Sequence, residues 1–141
     1  FDKNRFFIFG SSFGGFTALN LAVSDDRVKG LVLKAPVSDF HETYIKKKED
    51  REKILDWDNF YSDGKKYDIY SRASKLKIPV RIIHGDKDLS VPLHQSEKLT
   101  SFIHDSELVV LEGEGHMFEN KKQEVHSMIV DCFRKLKENA C

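Results

Sequence analysis

Four short apolar runs, each closed by a glycine or a proline near its end, constrain the fold of this chain more than any other feature. They lie at residues 5–9, 30–35, 78–84 and 108–111. Runs of this length, bounded by turn residues, are typical of strands that are buried on both faces, as in a parallel sheet. We therefore predict a strand at each of these positions, and a buried strand at residues 5–9 and 30–35.

Segments of helical character follow three of these runs. Residues 16–23 are rich in alanine and leucine, and residues 92–103 begin with a proline, which is favoured in the first turn of a helix. The last segment has an apolar stripe at helical spacing, formed by Val125, Met128, Ile129, Cys132, Phe133 and Leu136. This alternation predicts an α/β fold, with an open, mostly parallel sheet, flanking helices and right-handed crossovers.

An insert at about residues 38–75 interrupts the alternation. It contains a dense run of charges at residues 46–53, of the kind that usually forms a solvated helix face, and several aromatic side chains. We predict a short, charged, lid-like segment within one domain that spans residues 1–141. Trp57 and Phe60 are expected to pack within this insert, and the alternative is that they line a substrate pocket.

Composition excludes several classes of protein. A chain of 141 residues suits one domain, and its 23 basic and 23 acidic side chains cancel, so no nucleic-acid partner is predicted. No apolar run approaches the ~20 residues that a membrane helix needs, and no spacing of residues predicts a metal or another cofactor. Cys132 and Cys141 form no disulfide pattern, which favours a reducing compartment and a cytoplasmic location.

The first run ends in a motif that can carry chemistry, Gly10-Ser11-Ser12-Phe13-Gly14. This is a G-x-S-x-G pattern between a predicted strand and a predicted helix, where a nucleophilic serine would occupy a sharp, strained turn between small neighbours. The register selects Ser12, and the backbone N–H of Phe13 would then face the oxyanion. The alternative is a glycine- and serine-rich turn without chemistry.

A serine hydroxyl needs a base, and the base needs an acid that orients it. The third run ends in a loop that contains Asp86 and Asp88, and the fourth run is followed by His116. Both loops follow the carboxyl ends of predicted parallel strands, which is the edge where open α/β sheets place their sites. We therefore predict a catalytic triad of Ser12, Asp88 and His116.

The segments 9–15, 83–92 and 112–116 resemble the three catalytic loops of the α/β-hydrolase family, and most closely its serine aminopeptidase-like and cinnamoyl-esterase-like branch. The resemblance implies that Asp88 is the acid and that Asp86 shapes the loop. It covers only the second half of the family fold. The upstream strands and the loop that donates the second oxyanion N–H are therefore expected to be missing from these 141 residues.

The remaining histidines have simpler interpretations. His84 is expected to pack at a strand end and orient its loop, and the rest to lie mainly on the surface: His41, His94, His104 and His126. Glu42, Asp56 and Asp58 are acids that could anchor a substrate amine in an aminopeptidase, although many other surface acids could do the same.

Together these features predict a serine hydrolase that cleaves a carboxylic ester, a thioester or a peptide through an acyl-enzyme. Because the insert is short and charged, we expect a small lid over an open site and a small acyl ester or peptide as the substrate. The alternative is an inactive fragment that self-associates through the apolar strand at residues 5–9, since an unpaired strand edge is a template for another chain.

Overall fold

The computed structural model describes residues 3–45 and 56–139. Its strands are β1 (Phe6–Ser11), β2 (Val28–Lys34), β3 (Val80–Gly85) and β4 (Ser106–Leu111). Its helices are α1 (Phe13–Ser24), α2 (Phe40–Ile45), α3 (Trp57–Gly64), α4 (Tyr70–Ala73), α5 (Leu93–Phe102) and α6 (Lys122–Asn139). The order of strands and helices agrees with the sequence prediction.

In the described part of the chain, the strands form one sheet in the order β1-β2-β3-β4, and every neighbouring pair is parallel. The register aligns Leu33 of β2 with Gly10 on one side and Ile82 on the other. Because parallel strands in register end at a common edge, the segments that follow β1, β3 and β4 all leave the sheet at that edge. The predicted α/β fold with a parallel sheet is confirmed.

The core has a layer on each face of the sheet. On one face, Leu19 of α1 and Leu99 of α5 pack with strand residues such as Leu31, and all three are fully buried. On the other face, Ile83 packs with Val125 of α6. Burying a leucine or isoleucine side chain contributes about 1.5–3 kcal/mol, so these two layers hold the strand ends in place.

Helix α6 carries the predicted apolar stripe, but its burial is uneven. Val125 and Leu136 near its two ends are buried, and the four stripe residues between them are half-buried. The helix also extends beyond the stripe at both ends, to Lys122 and to Asn139, through polar residues that do not belong to the apolar stripe. The stripe is therefore a core-facing surface, as expected.

Strand β1 differs from its prediction. It spans Phe6–Ser11 rather than residues 5–9, its first three residues are only half-buried, and Phe9 is 43% exposed. Within the described residues, β1 pairs with β2 alone and lies at the edge of the sheet. An edge strand has a neighbouring strand on one side only, as the alternative with an unpaired edge supposed, and its side chains are less covered than those of an inner strand. The predicted burial on both faces is therefore not observed here.

Two helix starts also differ from the prediction. Helix α1 begins at Phe13 and not at residue 16, because Gly14 and Gly15 lie inside the helix instead of preceding it. Pro92 has extended backbone angles and caps α5, which begins one residue later at Leu93. Both segments are helical as predicted, and only their first turns are displaced.

The insert contributes α2, α3 and α4, and its charged run at residues 46–53 lies outside the described residues. Helices α2 and α3 pack so closely that a Cβ atom on Gly64 would lie 2.2 Å from the Phe40 ring. In the parts of the chain that the structure covers, no helix is long and apolar enough to cross a bilayer.

Candidate active site

The turn between β1 and α1 places Ser12 in a strained conformation. Its φ of 54° and ψ of −121° fall where a residue with a side chain is rarely found, at a cost of about 1–3 kcal/mol. Hydrogen bonds fix the turn: the Ser12 N–H donates to Lys34 O at 2.9 Å, and Ser12 O accepts from the N–H groups of Gly15 and Val37. Such over-determined strain is typical of a functional serine.

Two glycines, Gly10 and Gly15, permit this turn. The G-x-S-x-G motif instead contains Gly10 and Gly14. A Cβ atom on Gly10 would lie 2.6 Å from Gly14 O, and one on Gly15 would lie 2.6 Å from Pro36 Cβ. A Cβ atom on Gly14 would meet nothing within 4 Å. The close approach of α1 to the strand ends therefore requires Gly10 and Gly15, whereas Gly14 is not sterically required.

Ser12 also stands at the N-cap of α1. A serine in this position commonly caps the helix through its side chain, yet Ser12 makes no side-chain capping hydrogen bond. The N–H of Phe13 belongs to the first turn of α1, whose donors have no acceptor within the helix. This placement fits the predicted nucleophile and oxyanion donor, which both remain predictions.

The loops after β3 and β4 bring the other two predicted residues together. His116 Nδ1 donates a 2.6 Å hydrogen bond to Asp88 Oδ2. The other carboxylate oxygen, Oδ1, accepts from the backbone N–H groups of Ser90 and Val91, each at 2.8 Å. The Asp88 side chain is fully buried and that of His116 is 20% exposed, so the imidazole alone reaches the surface.

The hydrogen bonds around Asp88 decide its charge. Burial alone would raise the pKa of this carboxyl, but the hydrogen bonds from His116 and the Val91 N–H, together with the nearby His84 Nε2 at 3.4 Å, outweigh burial and hold the pKa well below its usual value of 3.8. Asp88 is therefore an anion at neutral pH. A charged acceptor on the Nδ1 side leaves His116 Nε2 available as a base.

Ser12 is connected to the His116 loop through Lys34. The Lys34 backbone holds the Ser12 N–H, and its Nζ lies 5.3 Å from the centre of the Phe118 ring, two residues after His116. Ser11 and Met117 line one small groove of about 230 Å³ at the same edge. Among the described residues, however, Ser12 Oγ and His116 make no hydrogen bond to each other.

Asp86 and His84 take the structural places expected for them. Asp86 Oδ1 accepts a hydrogen bond from the N–H of Gly113, and His84 is fully buried at the end of β3. Sequence reasoning missed Glu114, which is 1% exposed and accepts from the Asn120 N–H. The available signal was a carboxylate between two glycines, Gly113 and Gly115, in a predicted catalytic loop.

Aromatic residues of α1 and of the insert line a groove beside the serine turn. Its volume is about 470 Å³, and Phe13, Phe16, Phe40 and Phe60 contribute to its wall. Phe60 therefore packs within the insert and also lines a cavity, so both of its predicted roles stay open. Trp57 is instead stacked on Tyr61 at 6.1 Å, as expected for packing within the insert.

Two of the three acids that could bind a substrate amine, Glu42 and Asp56, accept hydrogen bonds from other residues. Glu42 Oε2 accepts from His94 Nε2 at 2.8 Å and from Gln95 Nε2 at 3.0 Å. Asp56 caps α3 by accepting from the Asn59 N–H. In residues 3–45 and 56–139, no group of three or more His, Cys, Asp or Glu side chains is arranged to hold a metal ion.

The parallel sheet and the placement of its loops define an α/β hydrolase, and solved structures have the same fold. Est1E from Butyrivibrio proteoclasticus with ferulic acid bound is 22% identical (TM-score 0.80), with 95% of this chain and 60% of that chain covered. A metagenomic α/β hydrolase from sediments of the Mar Chica lagoon is 21% identical (TM-score 0.75; 94% and 62% covered). Puromycin hydrolase is 22% identical (TM-score 0.67; 82% and 19% covered).

The chain belongs to the prolyl oligopeptidase family, whose family model matches residues 1–136. The predicted relationship to α/β hydrolases is thereby confirmed. No protein of curated function matches the sequence significantly. The chain spans about three fifths of the length of Est1E and of the metagenomic hydrolase.

Proposed function

We propose that this chain carries the catalytic residues of a serine hydrolase that cleaves a carboxylic ester. The observation that carries the proposal is the 2.6 Å pair of Asp88 and His116 at the sheet edge where the strained Ser12 turn also lies. A buried carboxylate, an imidazole that reaches the surface and a serine without a capping hydrogen bond are the parts that acyl transfer requires.

In the proposed reaction, Ser12 Oγ attacks the substrate carbonyl while His116 Nε2 accepts its proton. The tetrahedral intermediate collapses, the carbonyl–oxygen bond to the alcohol breaks, and the alcohol leaves with the proton from His116. Water, deprotonated by His116, then attacks the acyl-enzyme. The bond from the carbonyl carbon to Ser12 Oγ breaks, Oγ takes the proton back from His116, and the acid is released. Asp88 stabilises the imidazolium form of His116 in both steps but keeps its own negative charge.

The oxyanion of each intermediate would be stabilised by the Phe13 N–H at the start of α1. A donor in this position contributes through a short hydrogen bond and through the positive end of the helix dipole. The residues of this chain that we identified supply one such donor, and removing one donor from a comparable site costs about 10²–10³ in kcat.

The aromatic groove of about 470 Å³ supports a small acyl group as the substrate. Est1E, which has the same fold, binds ferulic acid, an aromatic carboxylic acid. The family name and puromycin hydrolase support peptide or amide cleavage as the second candidate. Because Glu42 and Asp56 are engaged in other contacts, two of the three acids that could anchor a substrate amine are already occupied, and this favours the ester.

The test uses a fluorophosphonate probe and two substrates, p-nitrophenyl acetate and a peptide p-nitroanilide, with the complete protein. We expect labelling of Ser12 and faster cleavage of the ester. Ser12→Ala should abolish both signals, and the neighbouring Ser11→Ala is the matched control. Labelling of Ser11, or turnover that survives Ser12→Ala, would reject the assignment, and preferred cleavage of the anilide would favour a peptidase.

The second candidate function is self-association of the 141-residue chain without catalysis. It is favoured by the edge position of β1 within the described residues and by the exposure of Phe9. Pairing of β1 with its copy would make light scattering report a dimer, and Phe9→Lys should weaken it. A monomer at high concentration, unaffected by Phe9→Lys, would exclude this candidate.

A further inference from the structure

His84 makes two side-chain hydrogen bonds in a fully buried position, and the proposed reaction does not use it. Its Nε2 lies 2.9 Å from Val91 O, and its Nδ1 lies 2.7 Å from the hydroxyl of Ser96 on α5. A carbonyl oxygen only accepts, so Nε2 must carry a proton. In the neutral ring, Nδ1 then accepts from the Ser96 hydroxyl, and both the tautomer and the ring orientation are fixed.

The same Nε2–H reaches the predicted catalytic carboxylate by two routes. Directly, Nε2 lies 3.4 Å from Asp88 Oδ2, which is the oxygen that accepts from His116. Indirectly, it holds the carbonyl of Val91, whose own N–H donates to Asp88 Oδ1 at 2.8 Å. His84 thus restrains both carboxylate oxygens of Asp88. It lies close to Oδ2 through its Nε2, and it acts on Oδ1 through Val91.

We propose that His84, held by Ser96, is a positioning residue that aims Asp88 Oδ2 at His116. This inference rests on the proposed function, in which His116 is the general base. The approach of His84 Nε2 to Asp88 Oδ2 is also one of the interactions that keep the pKa of Asp88 low, so its removal should loosen the orientation of the carboxylate and weaken the stabilisation of its negative charge. His84 is fully buried and its side-chain hydrogen bonds go to Ser96 and Val91, so it offers no surface to a substrate.

A positioning role and a packing role make different demands on residue 84. Packing requires only that the buried space be filled, which leucine does well. Positioning requires an N–H donor at the place of Nε2, which the side-chain amide of glutamine supplies and leucine does not. The pair His84→Leu and His84→Gln therefore separates the two roles, and replacing the exposed His104 by leucine controls for loss of a histidine.

Two measurements are made on each variant of the complete protein: ester turnover, and the low-field proton NMR signal of His116 Nδ1–H without substrate. We expect His84→Leu to lower kcat about 10- to 100-fold with little change in KM, as for a small displacement of catalytic groups. The signal should shift or vanish in His84→Leu, whereas both kcat and the signal should be largely retained in His84→Gln. Ser96→Ala should change kcat and the NMR signal in the same direction as His84→Leu, but by less. It serves as the test variant if His84→Leu does not fold.

The proposal is overturned if folded His84→Leu keeps the wild-type signal and kcat, or if His84→Gln is as impaired as His84→Leu. The NMR signal needs no turnover, so the proposal can fail separately from the proposed function. A protein that hydrolyses no ester, but in which His84→Leu removes the His116 signal, would refute the reaction and support the positioning role.

Discussion

The carboxylate of Asp86 accepts a 2.7 Å hydrogen bond from the Gly113 N–H and so ties the loop after β3 to the loop after β4. Asp88, two residues further on, makes its own contact with His116 in the second loop. Both aspartates of the loop after β3 thus contact the loop after β4. Asp86 accepts from a backbone N–H, and Asp88 accepts from His116, the predicted base.

These two contacts predict unequal effects of removing charge. Asp88→Asn should lower kcat by about 10⁴, because an amide no longer fixes the tautomer of His116 or stabilises its cation. Asp86→Asn retains an acceptor for the Gly113 N–H and should act on loop stability alone. Steady-state ester kinetics of the two variants, with thermal unfolding as the control for folding, provide the measurement. Equal losses of kcat would remove Asp88 from the triad.

The two glycines at the start of α1 should respond to alanine in opposite directions. Gly14→Ala adds a methyl group in open space within a helix and should stabilise the protein by up to about 1 kcal/mol. Gly15→Ala drives a Cβ atom to within 2.6 Å of Pro36 and should destabilise it by about 1–3 kcal/mol. Denaturant unfolding of both variants measures the difference. A stable Gly15→Ala protein would contradict the close packing of α1 on the strand ends.

The strained backbone of Ser12 predicts a conflict between stability and function. Glycine adopts a positive φ without steric cost, so Ser12→Gly should unfold at a higher temperature than Ser12→Ala, by an amount that corresponds to about 1 kcal/mol. Both variants lack the hydroxyl and should be inactive. Differential scanning calorimetry gives the comparison, and an alanine variant as stable as the glycine variant would show that the turn is relaxed.

Acid should remove the stability that ionised Asp88 contributes. Its pKa is lower in the folded protein than the unfolded value of 3.8, so the unfolded state binds more protons and stability falls as pH falls. The contribution is complete above about pH 5 and is lost progressively below pH 3.8. In urea unfolding at pH 2–6, Asp88→Asn should show a shallower decline in stability than wild type. Parallel curves for wild type and Asp88→Asn would mean that Asp88 is not held as an anion.

Local sequence determined the strands, the helices and the places where chemistry-bearing residues leave the sheet. Buried parallel strands and core-facing helices have distinct hydrophobic periods, so β2, β3 and the stripe of α6 could be predicted without knowledge of their partners. The G-x-S-x-G turn could be assigned because its strain is local, between a strand and the helix that follows it.

The tertiary structure decided everything that depends on contacts between distant segments. The exposure of Phe9 follows from the edge position of β1, and the requirement for Gly15 rather than Gly14 follows from the approach of Pro36. The link from His84 to Ser96 and Asp88 joins residues of β3, α5 and the intervening loop. Residue type and period describe one segment at a time, whereas steric overlap and hydrogen-bond geometry depend on which segments the fold brings within a few ångströms of each other.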